Sequence, residues 1–254
     1  MKWRQGRLFW VLVQIIFVAL YGKKVIPAYL TPAPLLLGLV WAIWASANIC
    51  SQVFLPAICR IPSKHGILIT FDDGPHPVYT PQILSTLQKH GVKAVFFLIG
   101  QKAAQHPEVV KKIIEEGHLL GNHSYRHNFS FSLQKVKSLH RDIELCDQTL
   151  ERITGQKIWL FRPPYGVTNP SLAKALNKFP QYRVIGWSVR SLDTVSSREN
   201  VLLARLATHV QNGDIVLLHD RCAITAGSLE KLLEGLRKKG LSFADPSVLI
   251  ADSI

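Results

Sequence analysis

Hydrophobic and polar positions divide the chain into two regimes, and the change falls near Arg60. Before it, apolar residues come in long runs. Leu8 to Leu20 is interrupted only by Gln14, and Leu35 to Cys50 continues through Leu55 with Ser46, Asn48, Ser51 and Gln52 as its polar breaks. Runs of this length match the hydrocarbon core of a bilayer better than one face of a soluble helix. After Arg60, short β-branched runs alternate with amphipathic stretches. Strands are expected at 66–71, 94–99, 118–121, 158–161, 182–187 and 214–218, with a short run near 241–243 as a seventh. Helices are expected near 80–90, 103–116, 132–153, 169–178, 198–211 and 226–239. Repeated βα order implies an α/β domain with a mostly parallel sheet or barrel and helices outside. About seven strands favours barrel-like closure, although an open sheet satisfies the same spacing.

Charge sharpens this division. Residues 1–59 carry five basic residues (Lys2, Arg4, Arg7, Lys23, Lys24) and no acidic one, while residues 60–254 carry 25 basic and 17 acidic residues. The expected organisation is therefore a membrane anchor of one or two helices over 1–59 and a folded domain over 60–254. Two topologies satisfy the sequence. If both runs span, Lys23 and Lys24 lie outside and the domain is cytoplasmic. If only the second spans, the five basic residues stay inside and the domain is extracytoplasmic. The basic residues of the domain are scattered, without a stripe interleaved with aromatics, so nucleic acid is not an expected partner. Membrane lipid and a glycan are. The four cysteines have no metal-site spacing and read mostly as small buried residues, with a Cys50–Cys59 bridge as the alternative. Nothing in the sequence sets an oligomeric state.

Chemistry concentrates where apolar runs end. Thr70-Phe71-Asp72-Asp73-Gly74-Pro75 puts two carboxylates at the carboxyl end of a buried strand, the place where α/β folds keep their sites. The alternative there is a polar turn with Asp73 as a helix cap. His123 and His127 follow another short apolar run, and their i, i+4 spacing would set both imidazoles on one face of a helical turn. Two imidazoles and a carboxylate suit a divalent ion with open positions for water and substrate. Zinc is the default by ligand type, and cobalt, manganese, nickel and iron accept the same set. Arg162, in Phe161-Arg162-Pro163-Pro164-Tyr165-Gly166, can hold a carboxylate ionised through a forked hydrogen bond. His219 closes the run 214–219, where strand alternation sets it on the same side as Leu217.

Together these residues resemble the polysaccharide deacetylase family (NodB-homology, carbohydrate esterase 4). The motifs that carry the resemblance are Thr70 to Pro75, Gly117 to His127, Arg162 to Gly166 and Leu217 to His219, in that order, across about residues 62–243. The resemblance implies a distorted (β/α) barrel and metal-dependent removal of N-acetyl groups from amino sugars. It implies Asp72 as base, Asp73, His123 and His127 as metal ligands, and His219 as acid. Arg162 would orient Asp72, the Tyr165 backbone N–H would help hold the oxyanion, and Asp193 would tune His219. Thr194 stands where many relatives have Trp, so the shape of the acetyl or sugar pocket does not carry over.

The expected activity is hydrolysis of N-acetyl groups on a glycan such as a chitooligosaccharide or peptidoglycan. An alternative is a deformylase or deacetylase of a lipid-linked amino sugar, which a cytoplasmic domain would favour. A third reading is an inactive homologue that binds glycan. Wall glycans as the family's commoner substrates favour an extracytoplasmic domain.

Overall fold

In the computed structural model, which describes residues 2–196 and 198–250, the two apolar runs form helices α1 (Trp3–Gly22) and α2 (Ala33–Ala47). They pair as a hairpin through small residues. Gly6 lies against the Trp41 indole, where an added Cβ would stand 2.1 Å from the ring, and Gly38 lies against Trp10. Such residues let two helix backbones approach closely. Trp3 stacks on Trp41. Elsewhere the apolar side chains point outward, and Leu8, Ile15, Leu35 and Val40 are each more than half exposed. Both helical segments are long and apolar enough to cross a membrane, since twenty helical residues reach about 30 Å. The Trp3 N–H donates to the Val53 carbonyl (2.9 Å), so the start of α1 meets the end of α2 beside the domain. Lys23 and Lys24 sit in the turn between the helices.

From Ile49 the chain lies on the barrel. Ile49, Leu55 and Ala57 are buried in one cluster with Phe161, Leu172 and Val184. Cys50 and Cys59 form a disulfide across Cα atoms 5.9 Å apart. Ordinary burial, the expectation for most of the cysteines, describes Cys146 but not this pair. Ile58 then pairs in parallel with Ile185, and Arg60 bridges to Asp214 and forms an ion pair with it.

The domain alternates as the pattern predicts. Its elements are β1 (Leu68–Gly74), α3 (Tyr79–Lys89), β2 (Ala94–Leu98), α4 (Gly100–Gln105), α5 (Pro107–Glu115) and β3 (Leu119–Asn122). They continue with α6 (Val136–Thr154), β4 (Leu160–Phe161), α7 (Pro170–Leu176), β5 (Arg183–Val184), β6 (Val189–Arg190), α8 (Glu199–His209), β7 (Ile215–His219) and α9 (Ala223–Lys238). The seven strands are parallel in the order β5-β4-β3-β2-β1-β7-β6, a curled half-barrel. Residues 58–61 lace the gap, since Ile58 takes backbone hydrogen bonds with Val184 and Gly186, and Ile61 donates to Gly213.

Two expectations about elements are corrected. The count of seven holds, but residues 241–243 contribute only an isolated bridge from Phe243 to Ile67. The seventh strand is instead β6, beyond the run 182–187, of which only β5 is strand; the carbonyls of Ile185 and Gly186 after it are turned toward Arg162. The helix expected over 103–116 is two helices, α4 and α5, parted at His106–Pro107 where proline cannot donate.

Strand alternation places the site. Leu68, Val95, Leu160 and Ile215 pack with Phe97 and Ile185 in the interior, whereas Ile69, Phe71, Phe96 and Val216 pack in the outer cluster under the helices. Two residues on from Leu68 come Thr70 and then Asp72, and Asp72 stands in register with His219 of β7. The interior is thus apolar below and ionisable at the carboxyl end.

Residues 49–60 add measurable stability if this packing holds. A disulfide closing so short a loop contributes about 2–3 kcal/mol, and burying Ile49 and Leu55 about 1.5–3 kcal/mol each. A chain starting at Asn48 should fold and remain in solution, while one starting at Ile61 should melt roughly 10 °C lower or more. Thermal melts of the two decide it, and equal midpoints would show that the segment contributes nothing.

Candidate active site

The two neighbouring aspartates diverge because β1 ends in a bulge. Asp72 pairs with Phe97 and Gly74 with Leu98, leaving Asp73 as the extra residue with a left-handed φ of 73°. A bulge re-aims a side chain. Asp72 therefore stays on the interior face, while Asp73 turns toward the loop after β3. Gly74 is required by what lies against it, since a Cβ there would stand 2.0 Å from a carboxylate oxygen of Asp220.

His123 and His127 come together, but not on a helix as the spacing implied. They occupy an irregular loop in which Ser124 and His127 both have positive φ. Side chains hold this loop. Asn122 accepts from the Ser124 N–H (2.8 Å), Ser124 Oγ accepts from the His127 N–H (3.0 Å), and Asp142 of α6 accepts from the Tyr125 N–H (2.8 Å). The ring centroids of the two histidines end 4.8 Å apart.

Asp73 Oδ1 lies 3.5 Å from His123 Nε2 and 3.2 Å from His127 Nε2. The donor atoms of the three residues all lie within 4.8 Å of one another. Their chemistry fits a divalent cation. His123 Nδ1 bonds the Arg162 carbonyl (2.8 Å), which leaves Nε2 as the free lone pair. Burial holds His127 down at about 3, so its imidazole is neutral and able to ligate. Burial would raise Asp73, but its contacts with His123 and Arg221 outweigh it and hold the carboxyl below the usual carboxylate range. Its other oxygen accepts from Arg221 Nε (2.7 Å).

Asp72 is held from the opposite side. Arg162 is fully buried, and its Nη1 donates to Asp72 Oδ1 (2.7 Å) and Thr70 Oγ1 (2.9 Å). Its Nε and Nη2 donate to the carbonyls of Ile185 and Gly186, and its plane lies over the Phe97 ring. Asp72 Oδ2 remains free of Arg162 and faces the cleft, 3.7 Å from His123 Nε2.

His219 is paired with Asp193. Asp193 Oδ1 meets His219 Nδ1 at 2.7 Å, and Oδ2 accepts from the His219 N–H (2.7 Å) and Thr225 Oγ1 (2.6 Å). Burial alone would lower the His219 pKa. The bond to Asp193 and the charges of Asp193, Asp72 and Asp73 reverse this and raise it. Asp193 is lowered in turn, its burial outweighed by His219 and Thr225. Tyr165 completes the rim with a left-handed φ of 60° and its ring 4.8 Å from His127.

All eight residues expected from the sequence thus gather at one end of the sheet. Asp72, Asp73, His123, His127, Tyr165 and His219 line one cleft directly, while Arg162 and Asp193 stand behind Asp72 and His219. Arg190, Thr194 and Arg221 line the same cleft. Sequence reasoning missed both arginines, although Arg221 lies only two residues past His219. It also passed over Asp220, a fully buried carboxyl raised to about 7 by burial, which accepts from Thr80 Oγ1. Away from this cleft, His118 is buried and accepts from the Ala94 N–H.

Comparison with known proteins agrees with this arrangement. Residues 60–184 match the family model for polysaccharide deacetylase. A peptidoglycan-N-acetylglucosamine deacetylase of Listeria monocytogenes is 32% identical over 204 residues, which is 80% of this chain but 43% of that protein. The chain therefore spans under half the length of that relative. A peptidoglycan-N-acetylglucosamine deacetylase of Bacillus cereus is 34% identical over 197 residues, covering 75% of this chain and 91% of that protein. Among solved structures, a CE4-family pseudoenzyme from Bacillus anthracis superposes with a TM-score of 0.71 at 28% identity, over 78% of this chain and 69% of that one. The Bacillus cereus match, nearly complete on that relative's side and carried by the strand-end residues described above, settles the assignment: the chain belongs to the polysaccharide deacetylase family.

Proposed function

We propose that this chain hydrolyses the N-acetyl group of an amino sugar in a glycan, with a divalent metal ion held by Asp73, His123 and His127. One observation carries the reading: the three convergent ligands open onto a cleft flanked by an arginine-held carboxylate and an aspartate-held imidazole. The names of the peptidoglycan deacetylases above support the same chemistry. A bound ion, zinc by its ligand set and with cobalt, manganese, nickel or iron also accepted, would polarise the amide carbonyl and lower the pKa of a water.

The chain's own residues divide the remaining work. Asp72 accepts the water's proton at Oδ2, since Arg162 occupies Oδ1 and keeps the carboxylate oriented. The Tyr165 N–H stabilises the charge that develops on the former carbonyl oxygen. His219 donates a proton to the leaving amine, and Asp193 holds its other nitrogen and favours the charged form. Base and acid thus each have their own buried partner, Arg162 for Asp72 and Asp193 for His219.

For location, we propose that α1 and α2 anchor the chain in a membrane with the domain on the extracytoplasmic side. The Cys50–Cys59 disulfide supports this, because such bonds persist in oxidising compartments. One observation favours the opposite topology. In the hairpin, Lys2, Arg4 and Arg7 lie at the domain end and Lys23 and Lys24 at the turn, so the positive-inside rule draws the domain toward the cytoplasm. A cytoplasmic domain would instead meet a lipid-linked amino sugar.

Three outcomes are expected. Asp73→Ala should lose metal affinity, whereas Asp72→Asn should retain the metal and the fold yet release acetate roughly 10²-fold more slowly. Metal analysis beside acetate release separates them, and a reversal of the two results would exchange the roles. The activity should also fall as pH rises through the elevated His219 pKa, because the acid then lacks its proton. Asp193→Asn removes the group that raises it and should move this alkaline limb to lower pH; an unmoved limb in a kcat–pH profile rules out His219 as the acid tuned by Asp193. Finally, a reporter active on one side of the membrane, fused after Ile254, should report the extracytoplasmic side. A cytoplasmic signal together with free thiols at Cys50 and Cys59 would reject that topology and favour the lipid-linked substrate.

A further inference from the structure

Two guanidinium groups face the cleft without a part in the reaction above. Arg190 ends β6 and is exposed, and among the described residues its side chain has no hydrogen-bond or ion-pair partner. Arg221 follows β7 and spends only its Nε on Asp73 Oδ2, leaving its terminal nitrogens without a partner among the described residues. Both line the same cleft as Asp72 and His219.

The charge balance there gives these groups a purpose. Asp72 and Asp73 face three guanidinium groups, Arg162, Arg190 and Arg221, while Asp193 and His219 form an internally neutral pair. The cleft is therefore positive before any divalent ion is added, and the ion would make it more so. A neutral acetamido sugar uses none of this excess. An oxyanion does, because guanidinium forks match the geometry of carboxylate and phosphate oxygens and are weakly hydrated. Neutralising Asp73 accounts for Arg221 Nε alone, and it accounts for nothing at Arg190. Thr194, four residues beyond Arg190 and lining the same cleft, is short enough to leave room for a substituent beside the sugar ring.

We propose that Arg190 and Arg221 form an anion subsite that selects an amino sugar bearing a carboxylate or phosphate substituent. This rests on the deacetylase reading for the identity of the sugar, and the geometry of the two arginines supplies the charge of its substituent. Arg190 is the specificity-determining member, since Arg221 also steadies Asp73.

The test is direct binding to the full chain in detergent micelles with a chelator present, so that no metal ion can hold the anion. The probes are N-acetylglucosamine 1-phosphate, N-acetylmuramic acid and neutral N-acetylglucosamine. At least one of the two acids should bind tenfold or more tightly than the neutral sugar. That ratio should fall at least fivefold in Arg190→Gln and recover in part in Arg190→Lys. A preference for the phosphate identifies a glycosyl phosphate, a preference for the muramic acid identifies a wall sugar, and either supports the subsite. Equal affinity for all three, no measurable binding of either acid, or a ratio unchanged in Arg190→Gln would overturn it. Acetate release by the zinc-loaded chain, from the acid it prefers as well as from neutral chitooligosaccharides, tests the hydrolysis separately. No release with the anion preference intact would reject the deacetylase reading and leave the subsite standing.

Discussion

The buried guanidinium of Arg162 is the constraint on which the rest of the domain depends. It has no access to solvent, yet it joins β1 through Thr70 and Asp72 to the β5–β6 link through the carbonyls of Ile185 and Gly186. A charge in such a place is tolerated only when paired and fully hydrogen-bonded, and removing one partner of such a pair costs about 3–5 kcal/mol. The carbonyls of Ile185 and Gly186 that it occupies belong to the link between β5 and β6. The same side chain therefore joins two parts of the barrel and aims Asp72.

From that fixed point, the site is built of loops under local strain. Asp73, His127 and Tyr165 all hold left-handed φ without being glycine, a conformation that costs of order 1–3 kcal/mol per residue. Each is kept there by its surroundings. The bulge in β1 holds Asp73, Asn122 and Ser124 hold the histidine loop, and the Pro163–Pro164 turn holds Tyr165. Irregular backbone lets residues from β1, β3 and β4 converge on one point, which regular strands 4.7–4.9 Å apart could not do alone.

The N-terminal hairpin joins this same region. The disulfide between Cys50 and Cys59 packs against Gly186, where an added Cβ would stand 2.5 Å from the Cys59 sulfur, and Gly186 holds Arg162 through its carbonyl. The chain leaving the hairpin is thus in contact with the peptide whose carbonyl holds Arg162. Hairpin and site are separated in sequence by more than a hundred residues at Gly186 and by one packing layer in space.

The residues of the site were legible in the sequence because strands are short, alternate with period two, and deliver polar side chains at their carboxyl ends. Asp72, His219 and Arg162 follow from that rule, as does the seven-strand α/β architecture. The two unbroken apolar runs were equally plain, since nothing but a bilayer or a partner helix suits them. Other features depended on contacts between distant segments and left no local trace. The histidine spacing pointed to a helix, but hydrogen bonds from Asn122 and Asp142 impose a loop. The run 182–187 looked continuous, whereas its strand ends at Val184 and the carbonyls that follow go to an arginine more than twenty residues away. Arg190 and Arg221 looked like ordinary surface charges until β6 and β7 were set side by side. Only the tertiary structure could decide these, because their energies come from pairs that the chain brings together by folding and not by adjacency.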